Sequence, residues 1–441
     1  MSLCILETND AELRCARGSF IALRSPGYAL ARGSELLLGT DAQRQARLHP
    51  RQSFNRFWLN LNQDALSVTE ANIRHHADLV YAHLLAIHEQ SGRPEQIVFA
   101  VPGSYNHEQL SMLLGIAQAC PFKPAGLVDS AVAAVASVAA QGRYQHLDLQ
   151  LHRAVISSVD VTESVSRQGV ESIDDAGLAA VETLCADTIA DLYIRQSRFD
   201  PHHHAVTEQA LYDQLPACLR ALRTQPEVQL EIRYEGARHL AKVPREAVLG
   251  ALKPLYARIR SRLDPARTLL LSDRSAALPG FMHAAEEAFV LDAEAPFAGC
   301  REHLDRIVGS GASLGFVTRL PAAPQPTIQS DADAESPTVL RLSETEPVTH
   351  LLQGHRAWPL GSHPLHLSAS APPHGQGGSE ARCSVSLQQG RATLRVHPGA
   401  AVYVNGETVA AERTLAPGDM IRFAETGAGF VAISAADTDG T

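Results

Sequence analysis

The sequence lacks several patterns that would point to a particular class of protein. Its seven cysteines include no Cys-X-X-Cys pair, which argues against a disulfide framework and against a zinc ribbon. No run of 18 apolar residues occurs, so membrane insertion is not predicted. With 30 glycines and 25 prolines among 441 residues, the composition also excludes a collagen-like or globally disordered chain.

Positive charge is scarce as well. The 38 Lys and Arg residues face 48 Asp and Glu residues, which gives a formal net charge of −10, and no basic run stands out. Nucleic acids are bound through clustered cations that displace counterions, so no nucleic-acid partner is expected. The segment Met1–Leu6 leads directly into strand-like sequence without the pattern of a signal peptide. We therefore expect a reducing, cytoplasmic location.

What is present is an alternation of short apolar runs with longer amphipathic segments from Ser2 to about Leu320, which predicts an α/β domain. Strands are predicted at Ser2–Leu6, Ser19–Leu23, Ile97–Val101, Leu147–Leu151, Ala154–Val161, Val228–Tyr234 and Thr268–Leu271. Helices are predicted around Ile73–Ile87, Leu110–Ala117, Leu178–Leu192 and Val248–Leu263. The last helix contains Pro254, which should kink or split it.

Two further segments follow this domain. Pro321–Glu346 is rich in proline, alanine, serine and acidic residues and has no apolar period, which predicts a flexible linker. From residue 347 to 441, short alternating runs separated by turn residues predict a small all-β sandwich, with Asn405–Gly406 as a hairpin turn. The predicted organisation is therefore a domain at 1–320, a linker at 321–346 and a β domain at 347–441.

Four stretches of the first domain occur in the order found in the actin-like ATPase superfamily. Ile97–Tyr105 (IVFAVPGSY) and Gly126–Val135 (GLVDSAVAAV) resemble the VPAYF and INEPTAAAL segments of the DnaK-type 70-kDa heat-shock chaperones. Tyr144–Val161 stands where that family has its DLGGGT phosphate loop, and Leu269–Phe281 (LLLSDRSAALPGF) resembles its adenosine segment. The resemblance covers about residues 1–320. It implies an actin-like, ribonuclease H-like α/β fold of two lobes around a nucleotide cleft.

The resemblance also implies roles for particular side chains. Glu7, Asp129 and Asp148 stand near the family carboxylates that hold Mg²⁺ and orient the attacking water, so they are the candidate catalytic residues. The candidate nucleotide-binding residues are Thr8, Ser272, Asp273 and Arg274.

The glycines of the three ligand loops are missing from this chain. Glycine is what allows backbone N–H groups to approach phosphates closely. Other residues, including extra carboxylates, replace it in Glu7–Glu12, Leu149–His152 and Ser272–Asp273. We therefore interpret the domain as a pseudo-ATPase, for which no cofactor is expected. The alternative is a chaperone-like switch that binds and hydrolyses ATP with Mg²⁺.

The last domain resembles a forkhead-associated (FHA) domain in the stretch Tyr403–Phe423 (YVNGETVAAERTLAPGDMIRF). FHA domains bind phosphothreonine through an Arg, a Ser-X-X-His turn and an Asn, and this sequence departs from the family at those positions. Arg382 and Arg391 are the candidate substitutes for the missing phosphate donors. A phosphothreonine-dependent adaptor is therefore a further alternative.

The histidines do not predict a metal site. Adjacent side chains point in different directions, so His202–His204 are assigned to the exposed start of a helix. His75, His76 and His83 are assigned to the solvent face of the helix at Ile73–Ile87. A retained framework with altered ligand loops instead favours a scaffold or interaction module whose partners are other proteins.

Overall fold

The computed structural model describes residues 2–66, 71, 73–281, 288–309, 314–322, 348–353, 356–361, 363–368, 382–388, 391–398, 400–404, 407–409, 411–415, 419–423 and 430–433. The chain forms two compact units, Met1–Thr327 and Ile328–Thr441. The predicted linker from residue 323 onward and the predicted turn at Asn405–Gly406 lie outside the described residues. In the described part of the chain, no helix is long and apolar enough to cross a membrane.

The first unit is a mixed α/β structure built on two six-stranded sheets. Its strands are β1 (Leu3–Glu7), β2 (Leu13–Arg17), β3 (Phe20–Ser25), β4 (Ala29–Arg32), β5 (Glu35–Leu38), β6 (Ser53–Phe54), β7 (Gln96–Val101), β8 (Lys123–Asp129), β9 (Gly142–Leu149), β10 (Arg153–Val161), β11 (Ser164–Asp174), β12 (Glu227–Tyr234), β13 (Ala237–Pro244), β14 (Thr268–Leu271), β15 (Phe289–Val290), β16 (Phe316–Val317) and β17 (Arg319–Pro321). Its helices are α1 (Thr40–Gln43), α2 (His76–Gln90), α3 (His107–Gln118), α4 (Ser130–Ala136), α5 (Leu178–Ser197), α6 (Ala205–Ala221), α7 (Arg245–Arg260), α8 (Asp273–Ala276), α9 (Ala295–Glu302) and α10 (Leu304–Ile307), with a 3-10 helix at Pro201–His203.

The first sheet has the strand order β16-β8-β7-β1-β2-β3. Strands β16, β8, β7 and β1 run parallel, and β1, β2 and β3 form an antiparallel meander. Helices α2 and α3 contribute to its core because Leu79, Leu84 and Leu113 lie on their buried faces. Helix α3 begins with a capping box in which Asn106 and Gln109 each accept the other's backbone N–H.

The second sheet has the order β15-β14-β9-β10-β11-β17, with β9, β10 and β11 as its antiparallel centre. Helices α5, α6 and α7 and the β12–β13 hairpin share its core. Helix α7 continues through Pro254, so of the two predicted outcomes, a kink or a split, the split does not occur. Burial of Val248, Leu252 and Ile259 along one stripe holds the helix together despite the missing backbone N–H.

A third core combines residues of both sheets with helices α4 and α9. The two helices approach closely because α4 is built from small residues and α9 presents Gly299 to it. A Cβ atom added at Gly299 would lie 1.9 Å from the carbonyl oxygen of Ala133. Only glycine therefore fits at this contact.

This contact gives a stability prediction. We expect Gly299→Ala to destabilise the first unit by about 1–3 kcal/mol, because the backbone of α4 would have to move. Gly115→Ala in α3 is the matched control, since nothing lies within 4 Å of its added Cβ. There alanine should stabilise the exposed helix by about 0.5–1 kcal/mol. Urea unfolding measures both variants, and similar effects of the two changes would contradict the close approach.

Cys4 on β1 and Cys15 on β2 form a disulfide, with their Cα atoms 6.5 Å apart. The sequence argued against a disulfide framework and did not predict this single pair, which forms because the antiparallel pairing of β1 with β2 brings the two cysteines together. The other five cysteines are unpaired and buried. The cytoplasmic location, which rested partly on the cysteine pattern, stays a prediction.

The second unit is an antiparallel β structure. Its strands are β18 (His350–Gln353), β19 (Arg356–Pro359), β20 (Leu365–Leu367), β21 (Cys383–Gln388), β22 (Arg391–Val396), β23 (Tyr403–Val404), β24 (Glu407–Thr408), β25 (Glu412–Thr414), β26 (Met420–Arg422) and β27 (Phe430–Ile433). They form one sheet of order β19-β18-β27-β26-β23-β24 and another of order β20-β21-β22-β25. Leu351 and Phe430 of the first of these sheets share a core with Val385 and Leu394 of the second.

Candidate functional site

The predicted cleft residues meet where the two sheets of the first unit approach each other. Glu7 ends β1 of the first sheet and is followed by a loop at residues 8–12. Asp148 lies on β9 of the second sheet, and Arg274 lies on α8, directly after β14 of that sheet. The fold therefore brings together two carboxylates and one arginine that are far apart in sequence.

The loop after β1 is hydrogen-bonded directly to the segment that joins β9 and β10. Asn9 donates from Nδ2 to Oδ2 of Asp148 at 2.8 Å and to the carbonyl oxygen of Leu149 at 3.0 Å. Asp10 accepts from the backbone N–H of Leu151 at 2.8 Å. Asn9 and Asp10 are both buried, so water does not compete strongly for these bonds. The two segments to which the family resemblance assigns phosphate binding are therefore hydrogen-bonded to each other.

Arg274 fills the space beside these segments. Its Nη2 and Nη1 atoms donate to Oε2 and Oε1 of Glu7 at 2.5 and 3.2 Å. Nη1 also lies 3.6 Å from Oδ2 of Asp148, and Nη2 donates to the carbonyl oxygen of Glu12. A planar guanidinium suits such two-point binding of a carboxylate. Arg274 is thus the cation that stands between two residues predicted to hold Mg²⁺.

A second buried arginine connects the same two sheets. Arg14 on β2 donates from Nη1 and Nη2 to the two carboxylate oxygens of Asp273 on α8, at 2.9 and 2.7 Å. Its Nε donates to Oε2 of Glu12 at 2.7 Å, and Arg24 on β3 donates to the same oxygen. We call Glu7, Glu12, Arg14, Asp148, Asp273 and Arg274 the ion-pair cluster.

Pairing outweighs the effect of burial on the pKa values of Arg274, Asp273 and Glu12. Burial would lower the pKa of Arg274, but the Glu7 and Asp148 carboxylates raise it above the usual value. Burial would raise the pKa of Asp273, but the hydrogen bonds from Arg14 hold it below the usual value. The pKa of Glu12 is likewise lowered by Arg14 against the effect of burial. These groups are therefore charged at neutral pH.

Asp129, the third candidate catalytic residue, makes structural contacts with a helix N-terminus and with an arginine. Its Oδ1 accepts from the backbone N–H groups of Ala131 and Val132 and so caps α4. Its Oδ2 accepts from Nη1 of Arg167 at 2.6 Å. Burial raises the pKa of Asp129, with Arg167 acting in the opposite direction. Both carboxylate oxygens of Asp129 therefore have hydrogen-bond partners, and none of these partners belongs to the ion-pair cluster.

Two of the candidate nucleotide-binding residues also have local partners. The Thr8 hydroxyl donates a long hydrogen bond of 3.5 Å to the carbonyl oxygen of Ala100. Ser272 caps α8 by accepting the backbone N–H of Ser275 at 3.2 Å. Both side chains are buried. These contacts hold the two side chains against their own loops.

The cavity beside the ion-pair cluster is too small for a nucleotide. Lined by Glu7, His146, Asp148 and Arg274 among others, it measures about 10 Å³, which is room for about one water molecule. Oδ1 of Asp148 is buried without a hydrogen-bond partner and is one open ligand position. Arg274 nevertheless already pairs with this carboxylate and with that of Glu7, so its own positive charge lies where a cation shared by the two would bind. The residues in this arrangement do not fit Mg²⁺ with a nucleotide.

A buried serine–histidine pair elsewhere in the first unit does not form a nucleophile. Oγ of Ser25 lies 2.8 Å from Nε2 of His83, and Nδ1 of His83 accepts from Nε1–H of Trp58 at 3.1 Å. Burial lowers the pKa of His83 to about 3, so the neutral ring must carry its proton on Nε2 and donate it to Ser25. His83 cannot act as a base there. The prediction that it faces solvent was also wrong, because it packs in the core with Trp58.

In the second unit, Arg382 and Arg391 are both exposed. Arg382 precedes β21, whereas Arg391 begins β22 and pairs with Gln388 at the other end of the same hairpin. The six residues of β21 separate them by about 20 Å along the strand. The fold therefore does not bring these two arginines to one phosphate group.

Sequence reasoning did not identify Asn9, Asp10 or Arg14 as parts of the site. The spacing of Glu12 and Arg14 gave a usable signal, because residues two apart in an extended chain lie on one side and can pair. No local signal connects Arg14 with Asp273, which lies 259 residues away in sequence.

In the part of the chain that the structure describes, no group of three or more His, Cys, Asp or Glu side chains is arranged to hold a metal ion. No protein-family model matches the chain, and no curated protein matches it in sequence.

Proposed function

We propose that the chain is a pseudo-ATPase scaffold that docks other proteins. Its first unit would have the actin-like, chaperone-type fold with a cleft closed by its own side chains, and its second unit would be FHA-like. The observation that carries this proposal is the direct bonding of Asn9 and Asp10 to Asp148 and Leu151, with Arg274 between the carboxylates.

The ion-pair cluster explains why such a unit would remain in one conformation. An ATPase switch closes its lobes on the nucleotide and opens them afterwards. Here Arg14 and Arg274 already join the two sheets. Separating the sheets would break these ion pairs together with the buried hydrogen bonds of Asn9 and Asp10. A first unit held closed in this way suits a fixed platform better than a switch.

One edge of the second sheet of the first unit has features that suit the binding of a protein partner. Strand β15 lies at the end of that sheet, and its two residues, Phe289 and Val290, are 64% and 48% exposed. An edge strand offers backbone N–H and C=O groups to an added strand, and exposed apolar side chains add contact area. β15 is therefore the surface at which we expect an extended segment of a partner.

The test of the proposal is nucleotide binding. Isothermal titration of the full chain with ATP and with ADP, each with Mg²⁺, should give no binding heat, and no phosphate should be released. The melting temperature should also stay unchanged at millimolar nucleotide, whereas a ligand at 100 times its Kd would stabilise the folded state by about 2.7 kcal/mol. The nucleotide-binding domain of a 70-kDa chaperone, measured in the same buffer, is the positive control.

Micromolar affinity together with turnover would show that the cleft opens and that the chain is the Mg-ATP-dependent switch. Affinity without turnover would also contradict a permanently closed cleft.

A further inference from the structure

A second cavity in the first unit shares no lining residue with the one beside the ion-pair cluster. It is an open groove of about 690 Å³ between the segment at residues 47–56, the turn at His152 and helices α5 and α7. Cavities of about 300–1,000 Å³ are typical of small-molecule sites. We call it the arginine groove because Arg47, Arg56 and Arg258 line it.

The charge of this groove is opposite to that of the chain. Three arginines and one acidic residue, Asp175, line it, although the whole protein has a net charge of −10. His152 also lines it, and burial lowers the pKa of this ring to about 4, so it is neutral at pH 7. Arg47 is paired with Glu208 outside the lining, so Arg56 and Arg258 are the cations through which the groove favours an anionic ligand.

Two of the arginines are held at the turn that precedes α5. Arg258 of α7 donates from Nη2 to the carbonyl oxygens of Asp174 and Asp175. Nη2 of Arg56 lies 3.6 Å from Oδ1 of Asp175, and these two side chains are 51% and 77% exposed. An exposed pair of this kind contributes only about 0–1 kcal/mol, so a ligand anion can replace Asp175 as the partner of Arg56 at little cost.

The remaining lining is apolar. Ala180 and Leu184 lie one turn apart on α5, and Pro254 and Leu255 lie on α7. Apolar surface beside fixed guanidinium groups suits a molecule that has both an apolar body and an anionic group. A guanidinium binds phosphate and carboxylate groups in the same two-point manner.

We propose that the arginine groove binds a small organic anion. Its phosphate or carboxylate group is held by Arg56 and Arg258, and its apolar body lies against Leu184 of α5 and Leu255 of α7. This site does not depend on the closed cleft, so it can exist whether or not the chain is a pseudo-ATPase.

The test uses the full chain and four defined probes: phenyl phosphate, benzoate, inorganic phosphate and phenol. Calorimetry and ligand-observed NMR should detect phenyl phosphate or benzoate and should find inorganic phosphate and phenol at least tenfold weaker. The stronger of the two aromatic anions identifies the preferred charged group.

Two variants locate the binding. Arg56→Gln/Arg258→Gln should weaken the aromatic anion at least tenfold. The control Arg93→Gln/Arg238→Gln removes the same charge from two exposed ion pairs outside the groove and should leave the affinity unchanged. Thr183→Trp places an indole ring in the groove at an exposed helix position without removing an arginine, and it should also abolish binding.

If loss of Arg258 unfolds the turn at Asp175, the double variant is uninformative, and Thr183→Trp alone shows whether the ligand binds in the groove. Undiminished binding by Thr183→Trp would overturn the proposal. Equal affinities of the two double variants would overturn it too, as would inorganic phosphate binding as tightly as phenyl phosphate, which would indicate an adventitious ion only.

Discussion

Arg274→Met should lower the free energy of unfolding of the first unit by about 3–5 kcal/mol, because it leaves the buried carboxylate of Glu7 without its cation. Glu7 is 2% exposed, and both of its carboxylate oxygens accept hydrogen bonds from the Arg274 guanidinium. The same guanidinium also contacts Asp148. Methionine has a similar length but no charge, so it cannot pair with the Glu7 carboxylate.

The two tryptophans of the chain make this measurement specific. Trp58 lies in the first unit and Trp358 in the second, so Trp358→Phe leaves Trp58 as the reporter of the first unit alone. In that background, Arg274→Met should lower the urea midpoint without changing the slope, which reports stability rather than compactness. Arg262→Met is the control, because its pair with Glu171 is exposed and should contribute about 0–1 kcal/mol.

A double-mutant cycle separates the ion pair from simple loss of packing. Glu7→Gln and Arg274→Met should each be strongly destabilising, but the double variant should be less destabilised than the sum, with a coupling of about 1–3 kcal/mol. Additive effects would mean that the two side chains do not depend on each other. In that case the ion-pair cluster would not be what holds the two sheets together.

The ion-pair cluster also shows where sequence reasoning reaches its limit. Glu7, Asp148 and Arg274 were all identified through the family resemblance, yet the resemblance implied roles toward a nucleotide rather than toward one another. Their mutual pairing depends on how two sheets meet, and 267 residues separate Glu7 from Arg274. A local pattern cannot contain that information.

The strands show the same difference between local patterns, which the sequence reveals, and contacts that form only on folding. β14 was predicted with its observed bounds, Thr268–Leu271, because it is a short apolar run between turn residues. β8 was not predicted, since Pro124 and Gly126 suggest a turn, although they pair in parallel with β7. β9 begins at Gly142, five residues before its predicted start, because the polar side chains of Gln145 and His146 are buried within it. Gln145 is tolerated there because it bonds to the backbone of Asp264, a partner that appears only after folding.

A second large effect is expected at Glu182 on α5, and it depends on pH. This side chain is 8% exposed and lines a cavity of about 340 Å³ with Tyr28 and Tyr212. Burial raises its pKa from 4.5 to about 7, with Arg47 acting in the opposite direction. The folded state therefore holds this proton more tightly than the unfolded state does.

The sign of the effect follows from proton linkage. Below pH 4.5 the carboxyl group is protonated in both states and has no influence on stability. Between that pH and about 7 the folded state binds more protons than the unfolded state, so stability falls as the pH rises. Above pH 7 the full cost of ionising the buried group is present, which is about 3 kcal/mol for this difference in pKa.

Glu182→Gln removes the charge and keeps the shape, so it should match the parent near pH 4.5 and exceed its free energy of unfolding by about 3 kcal/mol near pH 8. Asp10, His83 and His152 also titrate with shifted pKa values, but they are common to both proteins and cancel in the difference. The exposed Glu163→Gln serves as the control and should show no such divergence. Urea unfolding followed by Trp58 fluorescence at several pH values gives the comparison. A constant difference across the range would mean that the pKa of Glu182 is the same in the folded and unfolded states, and the cavity beside it would then have to be far more hydrated than its burial indicates.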